Sequence, residues 1–144
     1  MRLPNKAEII NWRHLPTIHR LMAENRWSLA TSTEWFNDFM CWLYTSMRSK
    51  LDHDKIFIMD NMHYLDDVWH AYILHTRDYL LMSKTLFATD IIHHDPEDPF
   101  SREKIEDSVI EYQMEMLIED WGNSYVDRVW QHGADIHDII APIV

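Results

Sequence analysis

A chain of 144 residues, 47% hydrophobic and 26% charged, has the size and composition of one globular domain, with enough apolar surface to offset the entropy of ordering it. Its two glycines, Gly122 and Gly133, exclude glycine-rich phosphate loops and leave little room for tight hairpins, which predicts a mainly helical protein. The net charge of −11 is concentrated beyond residue 86, where fourteen acidic residues stand against three basic ones, and this argues against general nucleic-acid binding.

The single Cys41 rules out an internal disulfide and a cysteine-based zinc knuckle, and within FNDFMCWLYTSM it reads as a buried thiol of a reducing compartment. MRLPNKAEIINWRH lacks the apolar core of a signal peptide. No stretch approaches the roughly twenty apolar residues that span a bilayer, so the expectation is a soluble, cytoplasmic protein without membrane contact.

In chain order, Pro4-Asn5 opens a short first helix with Ile9, Ile10 and Trp12 as apolar contacts, and Pro16 suits the first turn of a second. Thr31 to Glu34 offers caps for a strong helix from Trp35 to about Lys50. There Phe36, Phe39, Met40, Leu43, Tyr44 and Met47 form a broad apolar stripe, and Arg48 and Lys50 favour the negative end. KIFI fits either a short strand or an extended lead into the next helix, and the second is preferred.

A long helix over about 60–83 follows, with Leu65, Val68, Trp69, Tyr72, Ile73, Thr76 and Leu80 on its apolar side. Residues 86–100 read as a loop, because Pro96 and Pro99 forbid regular helix. Ile105, Val109, Tyr112 and Met116 recur at helical spacing in a helix over 101–120, and a last helix covers about 124–131. The predicted fold is all-α: a single domain over 1–144, built as a compact bundle of about five helices with the 60–83 helix at its centre.

The candidate site lies on and just after that helix. Asp66 and His70 are four residues apart, so on a helix they project from one face within reach of a common ion. His93 and His94, in the loop, complete a two-histidine, one-carboxylate set that suits one divalent metal, zinc or iron(II), with positions left for water. The same four residues also suit a purely structural lock, in which an aspartate accepts from His70 and the loop histidines bond backbone carbonyls. No G-x-S-x-G or H-E-x-x-H motif occurs, so neither a nucleophilic hydrolase nor a metzincin-type protease is expected.

Asp66-Asp67-Val68-Trp69-His70, Ile73-Leu74, Thr76 and Tyr79, followed by His93-His94-Asp95-Pro96, resemble the D-x-x-W-H-x-x-I-L-x-T-x-x-Y and H-H-x-P segments of small bacterial and phage relatives of the glycine-rich-domain-containing (DUF1399-like) family. Tyr112 and the stretch from Trp121-Gly122 to Trp130 are similar to that family's ending, with Trp121 in place of its usual Phe. The resemblance spans about residues 34–130. The chain departs from the family in lacking the glycine-rich region of plant members and in having Ile58-Met59 where a proline usually precedes the helix. The resemblance implies an all-helical domain and groups Asp66, His70, His93 and His94, but names no reaction. Two functions are therefore expected side by side: a metal-binding or polar-centred domain, and a non-enzymatic structural or adaptor subunit of a larger assembly such as a phage particle. The second makes a protein partner, self or other, an expectation, because seven tryptophans and nine methionines exceed what one small core needs. It also widens the expected location to a virion.

Overall fold

The structure is a computed structural model, and it describes residues 1–95 and 105–130. It is all-helical among these residues, with no strand. Its elements are α1 (Lys6–Asn11), α2 (Leu15–Asn25), α3 (Leu29–Leu51), a 3-10 turn (Asp60–Met62), α4 (His63–Ile73), α5 (Thr76–Phe87), α6 (Asp107–Trp121) and α7 (residues 123–130). The expected prolines of 96–100, the helix start at Ser101 and the tail beyond residue 130 lie outside the described residues.

The helix at the centre is α3 rather than a 60–83 helix. α3 packs against α1, α2, α4 and α6, and buries side chains on nearly every turn from Trp35 to Ser49. It starts earlier than its Thr31–Glu34 signals suggest, because the Ser28 side chain accepts the Thr31 N–H at 3.1 Å and caps the end. Five aromatic side chains on α3 form the middle of the core, and the largest fully enclosed side chains include Trp35, Phe36 and Phe39.

The predicted 60–83 helix is two helices that meet at Leu74 and His75. His75 leaves helical geometry (φ −89°, ψ 64°), and the Thr76 hydroxyl takes the Ile73 carbonyl at 3.3 Å. Such a local side-chain bond competes with the helical ladder. Apolar periodicity runs across the break without interruption, which is why the pattern reads as one helix.

KIFI is neither helix nor strand, and Gln113 of α6 bonds its backbone. The Phe57 N–H donates to Gln113 Oε1 at 2.7 Å, and Gln113 Nε2 donates to the Phe57 carbonyl at 2.6 Å. One amide side chain thus satisfies both backbone groups that a strand partner would have taken. At Gly122 the chain turns from α6 into α7 with φ 93°, a value that a side chain would strain. No helix among the described residues is long and apolar enough to cross a membrane.

Candidate metal centre

Asp66 and His70 lie one turn apart on α4, and the loop after α5 brings His94 over them. Three of the four expected residues meet. His94 Nε2 is 2.7 Å from Asp66 Oδ1 and 3.0 Å from His70 Nε2, and His70 Nε2 is 3.5 Å from Asp66 Oδ2. One donor atom from each of the three lies within 4.8 Å of the others. His93, the fourth expected residue, is exposed and stands outside this group.

Backbone alternation explains why one loop histidine arrives and its neighbour does not. Residues 91–95 are not helical, and burial alternates along them: Ile92 is buried, His93 exposed, His94 half-buried and Asp95 exposed. In an extended chain, successive side chains point to opposite sides. Once Ile92 is seated in the core, His94 faces inward with it and His93 faces away.

His94 rests on the indole of Trp69, with ring centroids 4.0 Å apart and planes inclined by 8°. Trp69 is itself packed against Phe39 and Trp42 of α3. Its indole N–H donates to the Tyr79 hydroxyl at 2.9 Å, and that hydroxyl donates to the Ile92 carbonyl at 2.6 Å. The aromatic residues of the motif read as core from the sequence; they are core, and they also form a support that runs from α4 through α5 to the loop carrying His94.

The rings of His70 and His94 approach tip first. Their centroids are 4.9 Å apart, yet their Nε2 atoms are only 3.0 Å apart, so the nitrogens point toward one another. Donors around a tetrahedral ion, with bonds of about 2.0 Å, lie about 3.3 Å apart. The two imidazole nitrogens, 3.0 Å apart, are near that spacing, and the carboxylate meets them through different oxygens, Oδ1 at 2.7 Å from His94 and Oδ2 at 3.5 Å from His70. The donor set fits a divalent ion of borderline character, since it offers two imidazole nitrogens and one carboxylate oxygen.

Burial acts to raise the Asp66 carboxyl, but the hydrogen bond with His94 and the attraction of His70, His94 and His63 outweigh it and hold the group below the usual carboxylate value. A lowered value keeps Asp66 ionised, as a ligand must be. Burial raises the neighbouring Asp67 carboxyl; His63, 3.6 Å from it on the surface, opposes the rise, and the Asp66 charge reinforces it. The His70 side chain is 61% exposed while those of Asp66 and His94 are near 20%, so the cluster has one open side.

A second polar cluster escaped the sequence reading. Asp38 of α3 is fully buried and bonds Arg128 of α7 through Oδ1, while Oδ2 accepts from the Tyr64 hydroxyl at 3.2 Å. The Tyr125 hydroxyl donates to the Asp38 carbonyl at 2.7 Å. Its signal was a carboxylate embedded in the apolar run FNDFMCW, a place where an acid stands only with a buried partner. Comparison with family models, curated proteins and solved structures finds no match for this chain.

Proposed function

We propose that this protein is a small helical metal-binding domain in which Asp66, His70 and His94 hold one divalent ion, zinc or iron(II). The observation that carries the reading is the valence of His94 Nε2. In its ring plane this atom has either one proton or one lone pair, and it faces a carboxylate oxygen at 2.7 Å and a second imidazole nitrogen at 3.0 Å. A proton serves one of these contacts well, whereas an ion between the three atoms serves them all. The resemblance to the glycine-rich-domain-containing family supports the grouping of these residues. His93, placed in the ligand set from sequence, is left out of it here.

Three protein donors leave coordination positions on the exposed side of His70. There an ion would act as a Lewis acid toward water or another oxygen ligand. The chain's own part is to orient: Asp66 stays ionised, Trp69 braces the His94 ring, and α4 sets the one-turn spacing of Asp66 and His70. Metal analysis of protein purified without a histidine tag tests the reading. One equivalent of metal, lost on chelation and lost in His70→Ala with the fold intact, is the expected result. Protein that takes up no zinc or iron(II), with stability indifferent to chelator, overturns it.

The second reading, a structural or adaptor subunit, is favoured by the outer face around α5. Leu81 of α5 is 58% exposed, with the exposed Arg77 and Lys84 one turn to either side, and Leu74, just before the break ahead of α5, is 63% exposed. Exposed apolar side chains that form a contiguous patch are a feature of surfaces that meet another protein. Sedimentation that shows only monomer at high concentration, unchanged by Leu81→Asp, removes that reading.

A further inference from the structure

We infer that the Tyr79 hydroxyl is the positioning group that selects His94, rather than His93, as the loop ligand of the metal centre. This rests on the metal-binding reading above.

Two adjacent histidines in an extended loop are nearly interchangeable in chemistry and differ only in which side of the chain they leave. The choice between them is therefore a choice of register, and register in an irregular loop must be set by an anchor. Two anchors meet at Ile92. Its side chain is 2% exposed within the core, and its carbonyl accepts from Tyr79. The 2.6 Å Tyr79 to Ile92 bond is the only hydrogen bond to the backbone of residues 90–95 among the described residues. Counting two residues on from that carbonyl returns the chain to the same side, at His94.

The anchor is also tied to the place where the ligand must arrive. The Tyr79 hydroxyl accepts the Trp69 N–H, and the face of Trp69 is the surface on which His94 stacks. One buried hydroxyl thus links the platform under the ligand to the backbone two residues before it. Groups that orient a ligand in this way are worth about 10- to 100-fold in metal affinity when removed.

Zinc affinity of the full chain, measured by competition with a chromophoric chelator, tests the assignment. In the wild-type protein His93→Ala leaves affinity unchanged and His94→Ala abolishes it. Tyr79→Phe lowers affinity about 10- to 100-fold, and in that background His93→Ala lowers it further, because both histidines now compete for the site. A hydroxyl with only a core-packing role would not create a dependence on His93.

A glycine inserted between Ile92 and His93 asks the same question with Tyr79 intact, should Tyr79→Phe fail to fold. The insertion moves His93 to the second position after the anchor, so zinc binding becomes sensitive to His93→Ala and tolerant of His94→Ala. Unchanged affinity in folded Tyr79→Phe, or an inserted variant still dependent on His94, overturns the assignment while leaving the metal site standing. A wild-type chain that binds no zinc overturns the metal reading itself.

Discussion

The two carboxylate clusters of this protein are built from similar parts and differ in how those parts are matched. At Asp38 both carboxylate oxygens and the backbone carbonyl face donors, from the Arg128 guanidinium and the Tyr64 and Tyr125 hydroxyls, and the carboxylate is closed off from water. At Asp66 the partners crowd instead of matching, with one imidazole nitrogen facing both an oxygen and another nitrogen, and one side open. A satisfied buried network of the first kind specifies which helices pack. An unmatched, accessible cluster of the second kind has capacity left for a further atom. The comparison teaches that donor valence, more than the count of acidic or histidine side chains, separates a structural lock from a binding site.

The largest test of that difference is Asp38→Ala. It strands the Tyr64 hydroxyl and removes the buried partner of Arg128, while the Tyr125 bond to the residue-38 carbonyl survives, so unfolding free energy should fall by about 3–5 kcal/mol. Urea denaturation reads this, and zinc bound by the protein that remains folded should keep its affinity. A loss below about 1 kcal/mol would show that the network is not the lock described here.

His94→Ala inverts the pattern. We expect zinc binding to be lost, with the helical circular-dichroism signal retained. Collapse of the fold on this substitution would place Asp66, His70 and His94 in the same structural class as Asp38.

Acid separates the clusters by a smaller margin. Asp66 is held below its ordinary value in the folded protein, so the stability it lends is present above its unfolded value of about 3.9. That contribution is lost as pH falls through the lower folded value. Asp38 runs the other way: burial raises it, and Arg128, the next influence, pulls it back without cancelling the rise. Its protonated form is thus favoured in the folded state, and its contribution declines as pH rises from about 3.9 toward the raised folded value. Between about pH 3 and pH 5, Asp66→Asn should flatten the loss of stability toward acid and Asp38→Asn should steepen it. Equal slopes for the two variants in urea melts would erase the distinction.

Much of the fold was legible in the chain. The apolar stripe of α3, the Pro16 start of α2 and the one-turn spacing of Asp66 and His70 all follow from local rules of periodicity, capping and Cβ direction. The break at His75 was not legible, because Tyr72 and Tyr79, both buried and seven residues apart, keep helical apolar spacing across it. The reach of Gln113 to Phe57 across 56 residues was hidden for a different reason: a glutamine in an apolar stripe does not say which backbone it will satisfy.

By itself the sequence determined that the protein is all-helical, that α3 must be buried, and that an aspartate and a histidine share one face of α4. These depend on interactions within a few residues, where the backbone sets the geometry. Only the tertiary structure decided that α3 is the centre, that Asp38 closes on Arg128, and that His94 joins Asp66 and His70 while His93 does not. The last choice depends on Ile92 being seated in a core formed by other helices and on a Tyr79 hydroxyl thirteen residues away, and no spacing within the His93-His94 pair encodes either.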